Sequence, residues 1–246
     1  MTDIHTHILP GVDDGSPDLK ISLEMADQAV RGGVNHLVMT PHCNIPDMFD
    51  NYNDGDNIRQ KMEMFRRQVS DAGIPLTLYS GMEVFGTPEV PEYLEEGRLL
   101  TINDTRYLLV EFPFSGASYY ATDILSDICH LGYFPIVAHP ERYEYVQKDT
   151  GLVDYWIRMG CGIQVNKGSL MGRFGRKPYY CGIRLLEEGM VSCIASDAHH
   201  SEWRTTYMDE VRMMLDREYG ENYADFLTRV NPQRILKGQE LLWPLD

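Results

Sequence analysis

The stretch whose reading decides the fold is Met1-Thr2-Asp3-Ile4-His5-Thr6-His7-Ile8-Leu9-Pro10-Gly11-Val12-Asp13-Asp14-Gly15, where a short apolar run delivers a His-x-His pair and then two aspartates. Side chains two apart in a strand point the same way, so His5 and His7 can hold one cation. Near the other end of the chain, Met190–Ala195 is followed by Asp197-Ala198-His199. In between, His42 follows Val34–Thr40, Glu83 follows Leu76–Tyr79, Glu111 follows Tyr107–Val110, and His139 follows Pro135–Ala138. Each ends an apolar run or sits just after one. Residues spread from position 5 to position 199 meet only if the fold gathers strand ends at one mouth. Imidazoles and carboxylates without thiolate favour zinc, manganese or iron over softer metals.

Working outward, one pattern recurs: an amphipathic helix, a glycine, then an apolar strand. It appears at Gly32-Gly33, Gly73, Gly132, Gly160 (before Gly162–Val165) and Gly189. Glycine at a helix C-terminus accepts the left-handed conformation that stops the helix. Strands alternating with helices at this spacing predict βαβ units and parallel pairing. Ser16-Pro17 reads as the start of the first helix, with Leu19, Leu23, Ala26 and Val30 on its buried face. Ala121, Ile124, Leu125, Ile128 and Leu131 form another buried stripe, with His130 opposite and solvated. With Ile4 and Tyr107–Val110 the strands number seven, which predicts a distorted, TIM-like (β/α)7 barrel. In such barrels the working residues occupy the C-terminal strand ends. Thr205–Lys237 reads as two further helices, Asn231-Pro232 opening the second. No linker interrupts residues 1–246, which read as a single domain.

The formal charge of −15, from 22 basic and 37 acidic residues, argues against a nucleic-acid or anionic-membrane surface. Bound dications would offset part of it. The cysteines Cys43, Cys129, Cys161, Cys181 and Cys193 form no CxxC pair, and none begins a Cys-x5-Arg phosphate loop. They read as reduced thiols of a cytoplasmic protein. No apolar stretch is long enough to insert in a membrane, and with candidate ligands beginning at His5 no cleaved leader is expected.

The opening Met1–Gly15 resembles that of the polymerase-and-histidinol-phosphatase (PHP) superfamily. Within it, the chain is similar to the bacterial PHP-type tyrosine-protein phosphatases of capsule and exopolysaccharide systems. The likeness continues through Thr40-Pro41-His42, Gly81-Met82-Glu83, Leu109-Val110-Glu111-Phe112, Ala138-His139-Pro140-Glu141-Arg142-Tyr143 and Ile194-Ala195-Ser196-Asp197-Ala198-His199, to about Asn231–Ile235. It implies three divalent ions, manganese foremost, with iron, zinc or cobalt accepted by the same donors. One ion would take His5, His7, Glu83 and Asp197. A second would share Glu83 and add Glu111 and His139. The third would take Asp14, His42 and His199. Asp13 rivals Asp14 on chemistry, and only the family pattern selects the second aspartate. No lysine stands at Glu83 or Glu111, which speaks against a carbamylated-lysine bridge.

The activity implied is hydrolysis of phosphotyrosine by a metal-bridging hydroxide, since metal binding lowers the pKa of water from ~15.7 towards ~7. The implied partner is the tail of a bacterial tyrosine kinase in polysaccharide biosynthesis. Arg142 and Arg204 follow His139 and His199 closely enough to reach the mouth, and they match phosphate-carrying, catalytic positions of the family. Lys167, Arg173, Arg176 and Lys177 form a basic loop able to draw in an anionic tail, and residues 44–57 read as a rim or lid. Phe112, Phe114, Tyr119 and Tyr120 could flank an aromatic ring, while His36 and His200 read as non-ligands. The rival reading is a small-molecule phosphomonoesterase of histidinol-phosphatase type. A second is a non-catalytic, metal-stabilised regulatory module.

Overall fold

The computed structural model describes residues 1–45, 48 and 55–243. Its described strand segments are β1 (Thr2–Asp3), β2 (His36–Met39), β3 (His42–Cys43), β4 (Thr77–Ser80), β5 (Glu83–Phe85), β6 (Tyr107–Glu111), β7 (Phe134–Ala138), β8 (Gly162–Asn166) and β9 (Cys193–Ala195). All pair in parallel, as β1-β2-β4 and as β3-β5-β6-β7-β8-β9. Short as they are, β3 and β5 are continuations. Pro41 has no N–H, so β2 cannot run through it regularly and resumes as β3. β4 resumes as β5 beyond Gly81-Met82. Across the breaks Thr40 N donates to Thr6 O (2.8 Å) and Glu83 N to Pro41 O (3.1 Å).

The described segments thus make seven staves, and the last meets the first. Asp197 N donates to His5 O at 2.9 Å, His7 N to Ala198 O at 2.8 Å, and Thr6 bridges Ala198. This is the expected α/β barrel of seven parallel staves, with two of them broken.

Alternation along the strands separates plug from jacket. Tyr107 and Leu109 of β6 join Ile4, Val38, Ile136, Ala138, Cys193 and Ala195 in an inner cluster, closed below by Ile102, Ile235 and Leu236. Leu108 and Val110 face the outer core, under the helices. Two residues beyond Leu109 comes Glu111, and two beyond Ala195 comes Asp197, so the inward face changes from apolar to anionic at the mouth.

The helices correct several expectations. In Leu19–Arg31 the cap is Asp18, whose carboxylate accepts from Ile21 N, rather than Ser16. The buried face there is Ser22, Met25, Ala26 and Ala29; Leu19, Leu23 and Val30 are half-buried. Small side chains let the helix lie close to the sheet, which rotates the leucines to its flanks. Helix Ser118–His130 buries Ala121, Ile124, Leu125 and Ile128 as read, but Leu131 is its exposed C-cap. The stop glycines Gly33, Gly73, Gly132, Gly160 and Gly189 all take positive φ. The C-terminal pair is instead Asp209–Tyr219, Glu221–Asp225, a π turn over Phe226–Val230, and Asn231–Leu236 opened by Asn231-Pro232. Of the expected 44–57 rim, most lies outside the described residues, and Gly55 already begins helix Gly55–Asp71. No described helix is long and apolar enough to cross a membrane.

Candidate metal centre

The C-terminal strand ends bring all nine residues singled out in the sequence to one place. Their donor atoms form four overlapping groups, each with members within 4.8 Å of one another: His7, Asp14, His42 and His199; His5, His7 and Glu83; His5, His139 and Asp197; His42, Glu83 and Glu111. Glu83, on β5, is the hub. Its Oε2 lies 3.1 Å from His5 Nε2 and 3.2 Å from His7 Nε2, and its Oε1 lies 2.9 Å from His139 Nε2. Asp197 Oδ1 is 3.5 Å from both His5 Nε2 and His7 Nε2. Glu111 reaches His42 Nδ1 at 3.0 Å and His139 Nε2 at 4.0 Å. Asp14, the most exposed member, lies 3.4 Å from His42 and 3.5 Å from His199.

Two observations fit cations to this set. The Nε2 atoms of His5 and His7 point at each other across 3.1 Å. Glu83 Oε2 and Glu111 Oε1 are buried with imidazole nitrogens 3.0–3.2 Å away but no aligned hydrogen bond, and a buried carboxylate oxygen so placed is costly unless an ion serves it. No cysteine enters any group among the described residues.

The rings are held from behind. His5 Nδ1 bonds Gln164 Oε1 (2.8 Å), and His7 Nδ1 bonds Asp13 Oδ2 (2.8 Å), which leaves each Nε2 for the centre. Asp13 also accepts from His42 N (2.9 Å) and Gly15 N (2.9 Å). Its oxygens are thereby occupied, whereas Asp14 faces the imidazoles. Gln164 Nε2 donates to Asn166 Oδ1 at 2.8 Å, and Asn166 Nδ2 to Asp197 Oδ2 at 2.5 Å, linking His5 to Asp197 through β8. Gln164, Asn166 and the bracing role of Asp13 escaped the sequence reading; two amides at alternate positions of an apolar run are a weak signal, and only their complete burial in the structure marks them.

Burial alone would raise the Glu83 and Asp197 carboxyls, but His5 and His42 around Glu83, and His5 and Arg204 around Asp197, hold both well below the usual carboxylate range. Burial drives His199 down to about 4, and the bond from His199 takes Asp14 down to about 2. His139 (φ 37°), Asp197 (φ 49°) and Arg204 (φ 51°) all sit in the left-handed region, unusual for residues with a Cβ. Backbone strain of this kind concentrates at functional sites.

Arg142 and Arg204 both reach the mouth. Arg142 Nη1 lies 3.4 Å and Arg204 Nη2 2.6 Å from Asp197 Oδ2. They line one cavity of about 260 Å³ together with Asp14, His42, Glu83, Glu111, His139, Asp197 and His199, opposite a wall of Ile45, Phe85, Phe112, Pro113 and Phe114. Of the expected aromatics, Phe112 and Phe114 are there; Tyr119 is exposed elsewhere and Tyr120 packs on the outer core. The basic loop is also corrected. Lys167 is buried, its ammonium held by the carbonyls of Thr205 and Tyr207, and Arg173 pairs with Glu210. That segment instead sends Phe174 to the arginines. His36 bonds Tyr79 (3.0 Å), His200 stacks on Trp203 and His130 is exposed; none joins a group.

Comparison with known proteins agrees with this geometry. The family described as capsular polysaccharide synthesis, CpsB/CapC, matches residues 1–237. Tyrosine-protein phosphatase YwqE of Bacillus subtilis is 34% identical over 98% of this chain and 93% of its own length. Tyrosine-protein phosphatase CpsB of Streptococcus pneumoniae is 32% identical over 97% and 99%. A crystal structure from the set of YwqE and CpsB, called metal-dependent tyrosine phosphatases, superimposes with a TM-score of 0.92, covering 99% of this chain and 97% of that one at 34% identity. The phosphotriesterase of Mycobacterium tuberculosis, at 10% identity and a TM-score of 0.59 over 97% and 94%, shares the fold alone. A profile covering nearly the whole sequence and relatives above 30% identity place this chain in the CpsB/CapC family.

Proposed function

We propose that this chain is a metal-dependent protein-tyrosine phosphatase. The observation that carries the reading is the shared cavity, where a floor of imidazoles and carboxylates, two guanidinium groups and an aromatic wall meet. A phenyl ring packs against Phe85, Phe112 and Phe114 while its phosphoryl group turns to Arg142, Arg204 and the floor. Guanidinium N–H forks suit phosphoryl oxygens, and they also stabilise the charge that spreads during transfer.

Three divalent ions, manganese being the expected metal, would be held as the family resemblance implies: one by His5, His7, Glu83 and Asp197, one by Glu83, Glu111 and His139, one by Asp14, His42 and His199. Metal held there would supply Lewis acidity and a hydroxide nucleophile at neutral pH. The protein's own part is orientation. Gln164 and Asp13 fix two rings, Glu83 serves several donors at once, and the arginines align the phosphoryl group. Tyrosine's phenol, pKa ~10, departs with less need of a strong general acid than an alkyl alcohol. The names of YwqE and CpsB favour phosphotyrosine over a small phosphomonoester. The proposed partner is the phosphorylated tail of a bacterial tyrosine kinase, met in the cytoplasm.

The test is hydrolysis of a phosphotyrosine peptide and of histidinol phosphate by one preparation of known metal content. Exhaustive chelation should abolish peptide hydrolysis and Mn²⁺ restore it, with histidinol phosphate the poorer substrate. Activity surviving metal removal, or peptide turnover at background, defeats the reading.

A further inference from the structure

Two aromatic rings lie against the guanidinium of Arg142. Its Cζ is 4.3 Å from the ring centre of Phe114 and 4.7 Å from that of Phe174. The same Phe174 ring lies 5.6 Å from Arg204 Cζ. Phe114 belongs to the cavity wall, but Phe174 comes from a different part of the chain, between helices Lys167–Leu170 and Arg176–Glu187. One ring thus lies within cation–π range of both arginines.

We infer that Phe174 is a positioning residue, which holds Arg142 and Arg204 as a preformed pair for the phosphoryl group. The inference rests on the phosphate-binding role proposed above for those arginines. The physical case starts from shape. A guanidinium has a flat face and a rim of N–H donors, and stacking occupies the face while leaving the rim free. An arginine held only by Asp197 has its donors directed at that carboxylate, and its long side chain keeps much rotamer freedom. A ring against its face removes that freedom without consuming a donor. The attraction is also electrostatic, since the ring face is the negative part of its quadrupole.

A second observation shows room made for this ring. Gly168 has ordinary backbone geometry, yet a Cβ built on it would lie 2.7 Å from Phe174 Cε2 and 3.0 Å from Phe174 Cζ. No other atom competes within 4 Å more closely than the Phe174 ring. Glycine at 168 therefore meets no backbone requirement; its missing side chain leaves space for Phe174. Gly168 does not line the catalytic cavity. Gly168 does share a neighbouring pocket with Phe174 and Arg204, so the double variant of positions 168 and 174 is what tells an effect passed through the ring from a direct one.

The experiment measures competitive inhibition by inorganic phosphate, with KM and kcat on an aryl phosphate, at constant metal content by elemental analysis. Phe174→Ala should weaken phosphate binding about 3- to 10-fold, the range of a partly exposed cation–π contact, and raise KM. Metal content should stay unchanged. Phe174→Tyr should restore most of the loss, and Phe174→Leu less. Gly168→Ala should weaken phosphate in the same direction, and it should add nothing in a Phe174→Ala background. Phosphate binding within twofold of the parent in Phe174→Ala overturns the inference, as does a Gly168→Ala effect that persists without the ring. Arg142→Ala separates the two layers. If it weakens phosphate while Phe174→Ala does not, only the inference falls. If Arg142→Ala is also without effect, the phosphate-binding role beneath it falls as well.

Discussion

Glu83 lies within 3.2 Å of His5, His7, His42 and His139, and no other carboxylate in the centre has so many imidazoles around it. Removing it should therefore cost more than removing any peripheral group. Glu83→Ala is expected to lose bound metal and nearly all activity. Gln164→Leu, which frees the His5 ring, should weaken metal binding about 10- to 100-fold. His36→Ala, at the far end of β2, should bind metal normally. Titration of metal into stripped protein ranks the three, and equal losses would refute the ranking. At this scale the donors were legible because histidines and acids ending apolar runs are conspicuous. Gln164 and Asn166 were not, because an amide in a strand is read as ordinary pleat until its partner is known. Phe174 was hidden too: nothing in the sequence says that a residue in a basic loop turns inward to two guanidinium groups.

Among the elements, the broken staves matter most. Glycine-stopped helices and apolar runs made the barrel legible, as Gly132 before Phe134–Ala138 illustrates. The two- and three-residue segments β3 and β5 were invisible, since neither is long enough to carry a period. The helix register was misjudged for another reason. Leucine spacing is a local signal, whereas the face that packs is chosen by how near the backbone can approach the sheet. Close approach also governs the bend before β5. A Cβ at Gly81 would lie 2.9 Å from Val38 Cγ1 and 3.4 Å from Thr40 Cγ2. Gly81→Ala should thus destabilise the fold by about 1–3 kcal/mol, the usual cost of overpacking. It should also disturb Glu83, two residues on. Chemical denaturation gives the first number and metal affinity the second; unchanged stability would mean that the bend is not tight.

For the whole molecule, the centre makes stability depend on pH in opposite senses with and without metal. In stripped protein, burial opposes protonation of His5, His7 and His42, but Glu83 and Asp197 around His5, Asp13 beside His7, and Glu83 and Glu111 near His42 raise all three above the ordinary 6.5. Raised imidazoles add stability that is complete below that value and lost as pH climbs through their folded pKa. Glu83 and Asp197, held below their ordinary 4.5 and 3.8, add stability that is present above those values and lost in acid. His199, lowered to about 4, opposes the other three imidazoles, and its contribution disappears as pH falls. Stripped protein should therefore lose Tm as pH rises above about 6.5, where the raised imidazoles give up their protons, and again as pH falls below about 4.5, where Glu83 and then Asp197 are protonated. Loaded protein should gain over the same rise, because only neutral imidazoles bind metal. Calorimetry in chelator and in Mn²⁺ checks the crossing; parallel slopes would contradict it.

The meeting of the first and last staves also carries a consequence for biogenesis. Ser196 N donates to Asp3 Oδ1 across 193 residues of chain. At typical rates of synthesis the ribosome needs about 10 to 40 s to cover that distance. Until then His5 and His7 stand without Asp197, so the full donor set can assemble only near the end of synthesis. If metal loading needs that full set, as proposed, it would follow translation rather than accompany it.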